Sequence, residues 1–509
     1  MRLLLLRASL LSFIYLLSAI AMAQNTWQHT EFVADWNVKI SDAVELPDGF
    51  LAVRTQFHGQ PDSVIQDHVL RLGIDGEPMD RIRIWNDDHS GSVRVILPSA
   101  VSGTFHVLGR YTDTDQQEGF YHYLTNPALV RLDSARYRWS GMTEVGLDNA
   151  VSSSTGKLLL PGSGMYNSLV WNRGLLLLLD ANGDSLTSTI ITSNAPYFLP
   201  RSAVNLGVDT FWVACAGEAD YPEYISSMSY MRFGPNLEHL GGQPGVVFTP
   251  PGPLQFSFLN DQPTLLPLPS GNTILAGRSR DDRGVISAVQ KLNRNWETTA
   301  TFLPRSEFDN DQPGVLNAAC NTADGNILFA TITNFFAGFS VGTPYLPDAP
   351  SQIRVYKLDT ALNLLCTHIV DGFAENAYYW LDRIKPTSDG GFLLMGSRVD
   401  LDAGMRFDGW IRKFSAEDCF TAITEADPMQ QARVFPNPGH DQFEIALNGV
   451  VTPNCMVTLN DEWGRSVGTK RLSSGRAIVD TKALAVGMYA YRVTDTNGHI
   501  VLAGRWIKQ

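Results

Sequence analysis

The feature that most constrains the fold is a degenerate repeat running through residues 24–432. One half of the unit is a polar turn with glycine followed by an apolar strand. It reads LPDGFLAV at 46–53, SGTFHVLG at 102–109, TGKLLL at 155–160, LGVDTFWV at 206–213, PSGNTIL at 269–275, ADGNILF at 323–329 and SDGGFLL at 388–394. The other half is a strand ending in a turn, as in VLRL at 69–72, LVRLD at 129–133, LLLD at 177–180, VYKLD at 355–359 and WIRKF at 410–414, with weaker copies near 228–233 and 289–292. Gly49 and Gly390 are 341 residues apart over six intervals, a period of about 57. Four strands of ordinary length, their turns and one long loop fill such a period. Alternation of apolar and polar residues, glycine turns and the lack of any sustained 3.6-residue period predict an all-β chain.

Seven four-stranded units predict a seven-bladed β-propeller, because radial repetition buries each sheet between two neighbours and leaves few open edges. The period exceeds those of WD40 and kelch units. The region resembles bacterial propeller repeats of the "PDG-strand, strand-LD-x-x-G" kind over most of residues 40–420, and an array of β-sandwiches is the alternative. A closed ring needs one strand from outside the last repeat. Residues 27–38 alternate suitably for the outer strand of the seventh blade and residues 419–426 suit it from the other end, and the sequence does not decide between them.

Both ends of the chain read as export signals. Arg2 and Arg7 give a positive start, residues 10–20 an apolar stretch too short for a comfortable membrane span, and Ala21-Met22-Ala23 a cleavage site, so residues 1–23 are expected to be a signal peptide and Gln24 the mature terminus. No cysteine follows the cut, which disfavours a lipid anchor, and no integral membrane segment is expected in the mature chain. Residues 24–424 are then the propeller, 425–432 a polar linker containing Pro428, and 433–509 a separate domain. That last stretch opens with FPNPG at 435–439, where two prolines and a glycine set a turn. It continues in short alternating strands with the hairpin DEWGR at 461–465, the strand LAVGMYAYRV at 484–493 and Lys508 beside the terminus. It resembles the type A sorting domain of the type IX secretion system, a small Ig-like β-sandwich that takes folded cargo across the outer membrane of certain Gram-negative bacteria. Pro436, Asn437, Pro438, Gly464, Gly487, Tyr489 and Lys508 carry the resemblance. It implies the type IX machinery as a partner, and a protein that passes through the periplasm to be secreted or attached to the outer surface.

The formal net charge is −13, and it is divided unevenly. Residues 433–509 hold nine basic and six acidic side chains, whereas residues 24–432 hold 28 basic and 46 acidic ones, a balance of −18. Such a body repels phosphate backbones and shows no basic stripe, so nucleic acid is not expected as a partner. The five cysteines lie far apart without a C-x-x-C pair, so no structural metal is expected. Their odd number leaves at least one thiol unpaired.

No H-E-x-x-H, G-x-S-x-G or P-loop is present, and the ten histidines are scattered. No catalytic residue, metal site or cofactor is therefore assigned. The segment Asp180-Ala181-Asn182-Gly183-Asp184 looks like the start of a calcium loop, but it lacks the downstream glutamate and reads as turn chemistry. Aromatic side chains in the longer connections are the better clue. Tyr121, Tyr123, Trp171, Tyr379 and Trp380 are expected to stand exposed on the loop-bearing end of the ring, where flat amphipathic rings suit stacking on sugars or anchoring a protein. Three functions follow from this reading. They are a secreted or surface-attached binding or adhesion module for glycan or protein, an enzyme such as a glycoside hydrolase or lyase acting on extracellular polymer at the propeller mouth, and a structural surface component.

Overall fold

The computed structural model describes residues 26–57, 65–84, 90–113, 115, 117–147, 149–166, 172–191, 197–218, 226–246, 263–281, 284–304, 306–308, 310–335, 347, 349–403, 406–416, 432–447, 455–461, 465–473, 476–494 and 500–509. The expected signal peptide, Trp171 and Gly464 lie outside them, as does the candidate closing strand at 419–426. The chain forms two compact units, residues 1–417 and 418–509.

The first unit is built of antiparallel sheets in chain order. Sheet 1 holds Asn37–Leu46, Gly49–Phe57, Ile65–Gly73 and Pro78–Arg83, and sheet 2 holds Ser90–Pro98, Phe105–Thr112, Glu118–Thr125 and Arg131–Tyr137. Sheets 3 to 6 occupy 142–191, 197–246, 264–302 and 311–371. Sheet 7 holds Ala377–Pro386, Phe392–Asp400 and Phe407–Phe414, and its outer strand is Trp27–Glu31 from the other end of the unit, with Trp27 opposite Lys413. The N-terminal strand therefore closes the ring, but with five residues only, since Asn37 and Val38 already belong to the inner strand of sheet 1.

Each sheet is apolar on both faces, because each is covered on both sides. The run Leu175–Leu179 shows how one strand serves two cores: Leu175, Leu177 and Leu179 enter the core shared with sheet 2, while Leu176 and Leu178 enter that shared with sheet 4. Such a core joins every consecutive pair of sheets, and the last, with Trp27, Leu393, Met395 and Ile411 against Ile40, Phe50 and Leu70, joins sheet 7 back to sheet 1. Sheets that follow one another around a closed ring make a β-propeller.

The turns of the repeat also have a structure. Between the third and fourth strands the same five-residue turn recurs at 73–77, 126–130, 180–184, 234–238, 293–297 and 359–363, each closed by an N–H of its first residue donating to the carbonyl of its fifth. Its fourth residue has a positive φ. Leu129, Leu237, Trp296 and Leu362 adopt that conformation and bury their side chains, whereas Gly76, at φ 81°, leaves room that the Trp27 ring fills. The DANGD segment is one of these turns, with Asp180 accepting from the N–H groups of Asn182 and Asp184 at 2.8 and 2.9 Å.

The second unit has two sheets: Ala432–Phe435, Gln442–Leu447 and Arg476–Asp480 in one, and Ser466–Arg471, Met456–Asn460, Gly487–Thr494 and Ile500–Lys508 in the other. Phe443, Ile445 and Val479 from the first meet Val457, Tyr489, Val493 and Trp506 from the second in one core. Cys366 is disulfide-bonded, and Cys215, Cys320 and Cys455 are buried free thiols.

Candidate functional site

Four of the five aromatic residues expected on an exposed rim are described, and all four are buried. Tyr121 and Tyr123 lie in the third strand of sheet 2 and pack into the core between sheets 1 and 2. Tyr379 and Trp380 lie in the inner strand of sheet 7, where the Tyr379 ring meets Trp410 at 4.9 Å and its hydroxyl donates to Glu375 Oε2 at 2.6 Å. The expectation of exposure fails for a physical reason. Runs such as Phe120-Tyr121-His122-Tyr123 are strands covered on both faces, so aromatic density marks interior here and not loop surface.

Tyr123 nevertheless reaches a cleft of about 280 Å³ between the outer parts of sheets 1 and 2, lined also by Ile84, His122, Arg131, Ser134, Ala135 and Arg136. The last four belong to the exposed outer strand of sheet 2. The Arg131 guanidinium lies 5.7 Å from the centre of the Tyr123 ring, and Arg136 lies 5.3 Å from that of Tyr111. Burial raises the Tyr123 phenol above its ordinary value, so it stays a neutral donor. His122 shares a 2.7 Å hydrogen bond with His106, and burial lowers the pKa of both rings to about 4, so both are neutral above that pH.

A second polar group lies on the inner strands of sheets 7, 1 and 2. Each has a β-bulge, at Asp382, Ser41 and Arg94 respectively, where the register with the next strand shifts. In sheet 1, Lys39, Thr55 and Asp67 form one row, and the bulge brings Asp42 onto the same face. Asp67 is fully buried. It accepts from Thr55 Oγ1 at 2.6 Å and from the N–H of Val93 in sheet 2 at 2.8 Å, and burial raises its pKa to about 7 against the pull of these bonds and of Lys39 and Arg94. Asp42 accepts from the Ile96 N–H at 2.9 Å and pairs with Lys385 at 2.5 Å. The Lys385 ammonium also donates to the carbonyls of Ala43 and Ile96, so one side chain ties three sheets. On the other face of sheet 1, Arg54 pairs with Glu31 of the closing strand at 2.9 Å. Most of these buried charges hold sheets together. Sequence alone gave no sign of them, because each becomes a partner only when the ring brings inner strands side by side.

Lys39 and Asp382 differ. Trp380 Nε1 donates to Asp382 Oδ1 at 3.2 Å, and Asp382 Oδ2 is buried with no hydrogen-bond partner among the described residues. Lys39 is buried too, and burial lowers its pKa while the Asp382 carboxylate opposes that shift. Among the described residues no group of three or more His, Cys, Asp or Glu side chains could hold a metal ion.

In the second unit the FPNPG segment grips the terminal strand. Asn437 Nδ2 donates to the Arg505 carbonyl and its Oδ1 accepts from the Ile507 N–H, both at 3.0 Å, while Trp506 Nε1 donates to the Pro436 carbonyl at 2.9 Å. Phe435–Pro436 and Asn437–Pro438 are cis. Lys508 is buried, with its ammonium donating to the carbonyls of Thr481 and Lys482. Tyr489 donates to the Ala485 carbonyl at 2.7 Å, and Gly487 starts the strand that carries it. Residues 433–508 match the family described as secretion system C-terminal sorting domain. This segment is a type IX sorting domain. The sorting domain implies interaction with the type IX machinery, export, and then secretion or attachment at the outer surface. No helix among the described residues is long and apolar enough to cross a membrane.

No curated protein matches the chain by sequence. By structure it is similar to the β-propeller domain of the Trilobed protease from Pyrococcus furiosus, with 9% identity over 76% of this chain and 98% of that one and a TM-score of 0.41. It is similar to the polysaccharide lyase Uly1, with 9% identity over 74% of this chain and 90% of that one and a TM-score of 0.46. It is also similar to puromycin hydrolase, with 13% identity over 82% of this chain and 61% of that one and a TM-score of 0.41.

Proposed function

We propose that this chain is an extracellular binding protein whose propeller holds an anionic glycan in the cleft at Tyr123. The observation that carries the reading is the cleft's lining: two guanidinium groups and no carboxylate, within a body whose formal balance is −18. Guanidinium forks match the carboxylate of a uronic acid or a sulfate ester, and a pair of them selects charge against the field of the surrounding acids. Ser134 adds a hydroxyl for ring hydroxyls, and Tyr123 supplies a ring and a phenol. The sorting domain brings this surface to the cell exterior, where such polymers occur. Asp67, whose pKa burial raises to about 7, is fully buried and already accepts from Thr55 and the Val93 N–H, so it is not placed at the cleft, whose lining suits binding.

The test is titration calorimetry of the full chain against uronic-acid, sulfated and neutral oligosaccharides. Acidic sugars are expected to bind more weakly as salt rises. The double change Arg131→Ala/Arg136→Ala should weaken binding about tenfold or more with no change in melting temperature, since both side chains are exposed. Equal binding by the variant overturns the reading. Release of new reducing ends from the polymer would favour the enzyme over the binding module.

A further inference from the structure

Resting on the reading of the Tyr123 cleft as an anionic-glycan site, we infer that its occupant is an extended polyanion with acidic groups on separate sugar residues, Arg131 and Arg136 each taking a different one. The register of the outer strand of sheet 2 carries the argument. Arg136 lies opposite Tyr121, Ser134 opposite Tyr123 and Arg131 opposite Thr125, so the three share the face that Tyr121 and Tyr123 turn toward sheet 1. By simple alternation from Ser134, Arg131 would fall on the other face. The register shift between Leu124 and Thr125, which leaves Leu132 as the extra residue, brings it round. The same shift occurs in sheets 1, 3 and 6, but there the equivalent positions hold Pro78 and Arg83, Ser185 and Ile190, and Leu364 and Ile369. The repeat thus supplies the geometry, and sheet 2 places two arginines in it where those sheets do not.

The two guanidinium groups do not converge. Thr125 and Tyr121 are four residues apart, which separates the backbones of Arg131 and Arg136 by about 13–14 Å at roughly 3.4 Å per residue. The side chains keep that separation. The Arg131 guanidinium lies over the Tyr123 ring, whereas that of Arg136 lies over Tyr111, whose ring rests on Gly119: a Cβ there would be 3.1 Å from Tyr111 Cε1. Gly119 is four residues from Tyr123 along the same strand. One carboxylate or sulfate ester is too small to meet both groups, so each guanidinium forms its own charge-assisted fork, while Ser134 and the Tyr123 phenol between them face the uncharged stretch of the polymer. Arg138, two residues on from Arg136, does not extend the row. Its Nε donates to the Tyr111 hydroxyl at 2.7 Å, and its charge is paired with Asp113, which also accepts from the N–H groups of Asp115 and Gln117 at 3.0 and 2.8 Å.

Titration calorimetry of the unchanged full chain tests this with a uronic-acid monosaccharide, its oligomers of increasing length, and a neutral oligosaccharide carrying a single terminal uronic acid. The longer acidic oligomers are expected to bind about tenfold or more tighter than the monosaccharide or the singly charged chain, because engaging the second charge is then intramolecular. Arg131→Ala and Arg136→Ala, each alone, should bring the oligomers down to the level of the singly charged chain and leave the weak binding of the monosaccharide, since one guanidinium remains. Monosaccharide binding as tight as that of the oligomers, or its loss in either single variant, overturns the inference while keeping the cleft as an anion site, since one acidic group would then be held by both arginines. Length-dependent binding that neither variant changes overturns it as well. Binding of no acidic sugar by the unchanged chain overturns the cleft reading and this inference together.

Discussion

Ring closure by Trp27 makes a sharp energetic prediction. The indole is buried against Phe50, with ring centres 5.4 Å apart, and it covers Gly76 of sheet 1. A Cβ at position 76 would lie 2.3 Å from Trp27 Cε3 and 2.5 Å from Cδ2, well inside contact distance, and φ there is 81°. Trp27→Ala removes a buried ring and should cost about 3–5 kcal/mol. Gly76→Ala carries two penalties: about 1–2 kcal/mol for a side chain in the left-handed region, and a further 1–3 kcal/mol for displacing a packed ring. In the Trp27→Ala background the second penalty disappears, because the ring is gone. The double variant should thus be more stable than the sum of the single effects by about 1–3 kcal/mol. An unfolding entropy of about 2.1 cal/mol/K per residue gives a body of this size roughly 0.8 kcal/mol/K, so the tryptophan change alone should lower the melting temperature by about 4–6 °C. Calorimetry and urea unfolding of the four proteins in the cycle measure each term. Simple additivity would refute the packing of Trp27 on Gly76 as the source of the coupling.

Three further outcomes are expected. Leu394→Ala, at a fully buried position in the second strand of sheet 7, should lower stability by about 2–5 kcal/mol in urea unfolding. Asp67 has its folded pKa raised to about 7 from an ordinary value of 3.8, so the folded state binds the extra proton and stability should fall as pH rises through that window; Asp67→Asn should flatten the fall seen in urea titrations between about pH 4 and 7. Removal of residues 433–509 in the native host should leave folded body in the periplasm, and its appearance at the cell surface would show that the sorting domain is dispensable for delivery.

The fold was legible because its signals are local. Glycine and aspartate in the first half of each repeat mark turns that recur in the structure, at Gly156, Gly271, Gly325 and Gly390 among others, all with positive φ. Copies that read weakly, near 228–233 and 289–292, are third strands that lead into turns of the same shape, at 234–238 and 293–297, whose left-handed residue is Leu237 or Trp296 instead of glycine. There the apolar side chain is worth more buried than the backbone conformation costs, so the sequence signal changed while the geometry did not. The candidate site was legible only in part. Tyr123 is at the cleft, but its neighbours Arg131 and Arg136 sit on an outer strand that reads as an ordinary solvated edge. The tyrosines read as a rim are interior because both faces of a blade are covered, and periodicity within one strand does not report that. Asp42 and Lys385 are brought together by closure of the ring, across nearly the whole length of the body, and no local pattern could link them.

The five-residue strand Trp27–Glu31 also imposes an order on biogenesis. Its partner, Phe407–Phe414, is among the last parts of the body to be made, so the earliest strand to emerge must wait for the latest before either is satisfied. Until then sheets 1 and 7 each expose an apolar face, and sheet 7 an unpaired edge, the surfaces on which nascent chains stick to one another. The periplasm is where such a chain would complete its circle. A sorting signal placed behind the final strand is translated only after every part of that circle exists, which makes commitment to outer-membrane passage a natural checkpoint on finished cargo.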